Sequence, residues 1–460
     1  MPLRAAFHNL GCKVNAYEVE AMQQMMTEAG YELVPFTETA DVYVINTCTV
    51  TNIADRKSRQ MLHRAKKRNP GAVVVAVGCY AEIRGEELEK DPAIDLVIGT
   101  NRKSELVQLL DAHRQEKRAE FLPEEKRKTG PEKEEKTEFR GTGKTLDLSG
   151  KYRAGTSVYE ELQISGTTEH TRAFIKVQDG CDRFCSYCII PYARGRVRSR
   201  RPEEVCREVE RLTAAGVKEI VLTGIHICSY GKDLEDNIEL IDLIRTVHEM
   251  EGVKRLRLGS LEPSYITEKT AEAMAELPGL CAHFHLSLQS GCDATLQRMN
   301  RHYTTEEFAA KAALLRQYFD DPALTTDIIT GFPGETEEEF AATVQFVENM
   351  QFFETHVFPY SRREGTRAAG MPGQLTEKVK KERSSVLLRL NARNQEQFLL
   401  RSVGQPVEVL FEEKVCVAGE EYWAGYGRKY QRILMKSGED LTNSVQIVRP
   451  YGVQNGVLLA

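Results

Sequence analysis

Cys181, Cys185 and Cys188 stand in the spacing CxxxCxxC, within Gly180-Cys-Asp-Arg-Phe-Cys-Ser-Tyr-Cys188. Three thiolates on one short loop can hold three irons of a [4Fe–4S] cluster, because thiolate is the soft ligand such clusters need. The fourth iron then has no protein ligand and is open to a small molecule that chelates through an amine and a carboxylate. With a distant fourth ligand, the same thiols would instead make a structural zinc site. The flanking sequence favours the cluster.

Three more cysteines close short apolar runs: Ala5–Cys12, Asp41–Cys48 and Val73–Cys79. The β-branched runs read as buried parallel strands. Helical patterns lie between them at Glu18–Glu28 and Ala54–Arg68, the second closed by Asn69-Pro70-Gly71. Strand–helix alternation over residues 1–113 predicts an open parallel α/β sheet, and ligands of such sheets sit off the carboxyl ends of the strands. Cys12, Cys48 and Cys79 all fall there, so they can converge. Gly11 and Gly78 would let backbone approach a cluster closely. The residues alone equally allow three buried cysteines acting as small hydrophobes.

Residues 169–400 alternate six strand-like runs with helices, which predicts a partial (β/α)6 barrel. The runs are Arg172–Val177, Glu219–Thr223, Arg255–Gly259, His283–Leu288, Leu324–Ile329 and Glu354–Phe358. Chemistry gathers at the carboxyl ends of such strands. Cys181–Cys188, Gly224, Ser260, Gln289, Asp327 and Tyr360 fall at those ends. His226 and His285 read as structural histidines, with a ligand role as the alternative, and Met299 as core. Cys206, Cys228, Cys281, Cys292 and Cys416 follow no ligand spacing.

At roughly 150 residues per domain, the 460-residue chain makes about three domains. Residues 114–168 mix charges of both signs and read as a solvated linker. Residues 402–460 alternate apolar and polar positions between glycine-rich turns and read as a small C-terminal β-barrel. There Tyr422, Trp423, Tyr426 and Tyr430 lie close to Arg428, Lys429 and Arg432, which suits unpaired bases and phosphates. The net charge of −6 gives no global attraction to nucleic acid, so local patches must supply it. Arg194, Arg196, Arg198, Arg200 and Arg201 form one such run, suited to phosphate contacts. Pairing with Glu203 and Glu204 is the alternative. No apolar stretch is long enough to cross a bilayer, and the N-terminus carries no signal-peptide run, so a cytoplasmic location is expected. Eleven cysteines in that setting argue for reduced thiols and metal binding.

The CxxxCxxC spacing resembles the radical S-adenosylmethionine (SAM) enzymes. Leu10-Gly-Cys-Lys-Val-Asn15, Ile45-Asn-Thr-Cys48, Val77-Gly-Cys79 and Ile189-Ile-Pro-Tyr-Ala-Arg-Gly195 resemble the methylthiotransferases among them. That resemblance implies SAM as methyl donor and radical source. It implies a SAM-binding cluster on Cys181, Cys185 and Cys188, and a second [4Fe–4S] cluster on Cys12, Cys48 and Cys79. Under it, Tyr187, Gly224, Ser260, Gln289, Asp327 and Tyr360 are expected around SAM. The C-terminal segment resembles the RNA-binding TRAM domain. Leu10–Tyr17 and Asn46–Arg59 look most like the branch that methylthiolates C2 of N6-threonylcarbamoyladenosine at position 37, in the anticodon loop of tRNA. Partners so implied are tRNA, a one-electron reductant and a sulfur donor. Isopentenyladenosine in tRNA, a ribosomal-protein aspartate, and a non-catalytic iron–sulfur RNA-binding protein are the alternatives.

Overall fold

The computed structural model describes residues 2–120, 158–166 and 171–460. They divide into two compact units, residues 1–163 with 189–195, and residues 164–188 with 196–460. The charged stretch at 121–157 lies outside the described residues.

The first unit follows from its apolar runs. Its elements are β1 (Arg4–Asn9), α1 (Lys13–Glu28), β2 (Glu32–Val34), β3 (Val42–Thr47), α2 (Asn52–Arg68), β4 (Val73–Gly78), α3 (Cys79–Glu89), β5 (Leu96–Ile98) and α4 (Leu106–Glu120). The five strands pair in parallel in the order β2-β1-β3-β4-β5. Every residue of β3 and β4 is buried, as continuous β-branched runs require when both sheet faces are covered. Val42, Val44, Val73 and Val75 pack against Met22, Met26 and Leu110 on one face. Tyr43, Ile45, Val74 and Ala76 pack against Leu62, Ala65 and Leu88 on the other. Thr51 caps α2 by accepting the Ala54 N–H at 3.1 Å. Helix α4 runs past residue 113, where the sequence ended the domain. Past the charged stretch, the Leu162 carbonyl accepts from the buried Tyr17 hydroxyl, so this part of the expected linker packs on the first unit.

The short helix α5 (Ile190–Arg194) also belongs to the first unit, where Ile189 and Ala193 pack on Cys79 and Ile83.

The second unit holds β6 (Arg172–Asp179), β7 (Arg198–Ser199), α6 (Pro202–Ala214), β8 (Glu219–Gly224), α7 (Leu240–Glu249), β9 (Arg255–Leu258), α8 (Glu268–Ala275), β10 (His283–His285), α9 (Asp293–Arg298), α10 (Thr305–Tyr318), β11 (Ala323–Thr330), α11 (Glu337–Met350), β12 (Glu354–Pro359) and α12 (Glu377–Leu400). Strands β6, β8 and β9 pair in parallel, as do β10, β11 and β12. Parallel bridges at Leu256–Leu280 and Leu261–Leu286 connect the two sets. Six parallel strands alternating with helices therefore form the expected α/β core, and β7 adds an antiparallel edge. Helix starts carry the expected signals: Pro202 opens α6, and Thr304 and Thr336 build capping boxes with Glu307 and Glu339.

The C-terminal part is β-rich: β13 (Val407–Val417), β14 (Glu420–Gly427), β15 (Arg432–Met435), β16 (Val445–Val448), β17 (Gly452–Gln454) and β18 (Val457–Leu459). They form one sheet in the order β16-β13-β14-β15-β18-β17. Its core of Val409, Phe411, Trp423 and Ile433 packs on Phe353, Phe398 and Leu399.

Candidate iron–sulfur centres

In the first unit, strand order reverses at β1, with β2 on one side of it and β3 on the other. In an open α/β sheet such a switch point opens a crevice off the strand ends. Cys12 precedes α1 just beyond β1, Cys48 follows β3, and Cys79 follows β4 as the first residue of α3. The three thiols are close enough to influence one another's ionisation. Burial pushes Cys48 up to about 12, a backbone N–H at Val50 opposes it, and Cys79 and Cys12 add to it. Burial also raises Cys79, against the pull of Arg194.

Arg194 is the polar centre of this crevice. Its Nε donates to Cys79 Sγ at 3.2 Å, Nη1 to Glu18 Oε1 at 2.9 Å, and Nη2 to Asn15 Oδ1 at 2.9 Å. Lys103 Nζ lies 3.4 Å from Glu18 Oε2. Asn15 Nδ2 in turn donates to the Leu10 and Thr47 carbonyls. The residues flanking Cys12 and Cys48 are thereby tied together. Gly78 sits at φ 94°, where a Cβ would collide with Asn46 Oδ1 and lie 2.8 Å from the Thr47 carbonyl. The glycine is required by this close packing. Three thiols converging beside a buried guanidinium fit an anionic thiolate-bound cluster, and the buried Asn46 Oδ1 has no hydrogen-bond partner among the described residues.

In the second unit, Cys181, Cys185 and Cys188 occupy the loop after β6. Phe184 takes a left-handed φ of 49°, and the Cys188 N–H donates to the Cys185 carbonyl at 2.9 Å. Asn300 Nδ2 holds the Phe184 carbonyl at 3.1 Å, and Ser186 Oγ donates to the Arg298 carbonyl at 2.8 Å. Arg301 Nη1 reaches Cys185 Sγ at 3.3 Å, while its Nη2 donates to the Ser287 carbonyl at 3.1 Å. Burial pushes Cys181 up to about 11, a backbone N–H at Arg183 opposes it, and Cys185 adds to it.

The residues expected around SAM occupy different environments. Tyr187 packs on Met299, Phe332 and Tyr360, edge-on to Phe332. The Tyr360 hydroxyl is buried without a partner among the described residues, and burial pushes it up to about 12. Gly224 has no room for a Cβ because Gln178 Oε1 would lie 2.9 Å away. Ser260 is exposed at the end of β9. Gln289 is nearly buried with φ 74°, held by backbone bonds to Asp327 and Ile329. Burial opposes ionisation of Asp327, yet His285, His356 and Arg301 hold its carboxyl below the usual range.

Several expectations are corrected. Arg194, Arg198 and Arg200 are buried, facing Glu18, Asp179 and Glu208 respectively. A guanidinium committed to a buried carboxylate is not presented to a phosphate. Of that run only Arg196 and Arg201 are exposed. Arg428 donates to the Pro278 and Leu280 carbonyls, and Lys429 lies 3.8 Å from Asp321. Tyr426 and Tyr430 stack at 5.0 Å with Arg172 over both rings, and Arg257 lies over Tyr430. These aromatics join the C-terminal sheet to the barrel strands, and Trp423 is core.

Arg301, Glu18, Asn15 and Glu262 were not found from sequence. Asn15 stands three residues after Cys12 in sequence, but no spacing relates Arg301, Glu18 or Glu262 to the cysteines near them. Glu262 joins Arg183, from the cysteine loop, to His226, whose Nε2 lies 2.7 Å from Glu262 Oε2. Cys228 Sγ accepts the Glu262 N–H at 3.2 Å.

Known proteins resemble this arrangement. Residues 4–99 match the Uncharacterized protein family UPF0004, and residues 175–347 the Radical SAM superfamily. Threonylcarbamoyladenosine tRNA methylthiotransferase MtaB of Bacillus subtilis is 41% identical over 447 residues, covering 96% of this chain and 93% of its own. The protein of the same name from Aquifex aeolicus is 36% identical, covering 91% and 95%. The chain belongs to the radical SAM methylthiotransferases. A third relative, tRNA-2-methylthio-N(6)-dimethylallyladenosine synthase of Moorella thermoacetica, is 34% identical over 97% of this chain and 96% of its own. Among solved structures, the radical S-adenosylmethionine methyltransferase TsrM of Kitasatospora setae shares the fold at a TM-score of 0.53 and 17% identity, covering 80% of this chain and 77% of that one. As a radical SAM methylthiotransferase the protein uses SAM and a [4Fe–4S] cluster.

Proposed function

We propose that this methylthiotransferase converts N6-threonylcarbamoyladenosine at position 37 of tRNA to its 2-methylthio derivative, using two [4Fe–4S] clusters. The supporting observation is the presence of two separate thiol triads, each with an arginine hydrogen-bonded to one of its sulfurs. The Bacillus and Aquifex relatives carry the threonylcarbamoyladenosine name. When bound, SAM and the clusters supply the methyl group, the sulfur site and a radical able to activate an aromatic C–H, which offers polar chemistry no leaving group.

This chain's own residues hold and insulate those groups. Cys181, Cys185 and Cys188 ligate the cluster that binds SAM, and Arg301 offsets its negative charge at Cys185. Tyr187, Phe332 and Tyr360 give that loop an apolar flank that keeps water away. Gly224, Ser260 and Gln289 line the strand ends. Cys12, Cys48 and Cys79 hold the second cluster, with Arg194 bridging it to Glu18. Exposed Arg196 and Arg201 meet tRNA phosphates. The partners are a one-electron reductant, a sulfur donor and the anticodon loop of tRNA, which sets the enzyme in the cytoplasm.

A second reading, isopentenyladenosine at the same position, is favoured by the Moorella relative's name. Nucleoside mass spectrometry on tRNA from cells with and without the gene separates the two. Loss of 2-methylthio-N6-threonylcarbamoyladenosine with accumulation of its parent supports the proposal. Loss of the isopentenyl analogue alone transfers the activity to that substrate, and an unchanged tRNA profile removes tRNA as substrate.

A further inference from the structure

His285, Asp327 and His356 stand on three neighbouring parallel strands. Asp327 of β11 is in register with His356 of β12, and His285 of β10 with Thr325 of β11. Thr325 and Asp327 are two residues apart, so all three side chains share one sheet face. One ligand atom from each lies within 4.8 Å of the other two. His285 Nε2 is 3.2 Å from Asp327 Oδ2, and the two imidazoles stack at 5.7 Å with 24° between their planes.

We infer that these residues form a site for a divalent transition-metal ion, with ligands distinct from those of the cysteine centres and binding that does not need the RNA substrate. Two imidazoles and one carboxylate suit zinc or ferrous iron and leave coordination positions open. His285 Nε2 is buried, with Asp327 Oδ2 3.2 Å away. Two ligands of one ion stand in that relation, since bonds of about 2.0–2.2 Å place neighbouring donors roughly 3 Å apart around the metal. His285 Nδ1 lies 3.0 Å from Thr325 Oγ1, the outer-shell bond that typically fixes a metal-binding imidazole. His356 Nδ1 is 3.8 Å from Glu354 Oε1, beyond hydrogen-bond distance, so the imidazole is available to the ion. His356 is the most exposed of the three, at 41% of its side chain, so the site is open to solvent on its side.

The test is anaerobic titration of the cluster-loaded, full-length enzyme with Zn²⁺, then desalting, zinc and iron analysis, and zinc K-edge X-ray absorption. The expected result is one zinc per chain beyond the iron, with an imidazole-containing nitrogen and oxygen shell. His356→Ala and Asp327→Asn should each bind at least tenfold more weakly with unchanged iron content, which reports that the fold and clusters survive. A sulfur shell around zinc, zinc retention by both variants equal to that of the unmodified enzyme, or no retained zinc would overturn the site.

Discussion

Arg194 meets a thiol, a carboxylate and an amide at once, with none of its side chain exposed. Removing one partner of a buried ion pair costs about 3–5 kcal/mol, because the remaining charge loses its compensation. Arg194→Met should therefore lower the thermal midpoint markedly and reduce iron content toward one cluster, while SAM cleavage persists in the chains that remain folded. The thiols divide the same way. Alanine at Cys181, Cys185 or Cys188 should abolish reductive SAM cleavage. Alanine at Cys12, Cys48 or Cys79 should leave cleavage intact and stop methylthiolation; continued methylthiolation there would refute the two-cluster assignment. Burial opposes ionisation of Glu262, but His226 and Arg183 hold its carboxyl down at about 2, against 4.5 for the free side chain. A depressed acid stabilises the fold above its unfolded pKa, a contribution of roughly 3 kcal/mol. That contribution is lost as pH falls from about 4.5 toward 2. Urea unfolding between pH 5 and 3 should show a steeper loss for the native chain than for Glu262→Gln.

The elements were largely legible because their signals are local. Fully buried β3 and β4 announce themselves as unbroken β-branched runs, and α6, α10 and α11 begin at proline or threonine caps. The short strands β2 and β5 carry too few residues to show a period, and sequence did not find them. The arginine run was misread for a different reason. Its charge is visible in sequence, but Glu18, Asp179 and Glu208, which neutralise it, come from three other elements. Cross-element pairing of this kind also hid Arg301 and the grouping of His285, Asp327 and His356. The β4–α3 junction is rigid by contrast. Gly78→Ala would force a side chain into a left-handed φ and against Asn46 and Thr47. It should cost on the order of 1–3 kcal/mol, read as a lower denaturant midpoint, together with lost iron at Cys79.

At the scale of the whole molecule, charge is sequestered. Glu219 is buried among Arg257, Arg255 and Arg172, and Arg255 continues to Glu408 of the C-terminal sheet at 2.9 Å. Buried arginines thus join the C-terminal sheet to the barrel, and Arg428 does the same through the Pro278 and Leu280 carbonyls. Arg196→Ala with Arg201→Ala should raise the KM for tRNA several-fold and flatten its salt dependence, while SAM cleavage without tRNA stays unchanged.

Residues 189–195 belong to the first unit, although the chain on either side of them belongs to the second. The polypeptide therefore enters the first unit twice, and a gene cut anywhere in the charged stretch would deliver a fragment without its own arginine at Cys79. Shuffling that exchanged one half for a foreign module would leave Glu18 with Lys103 as its remaining buried cation and Cys79 without its guanidinium.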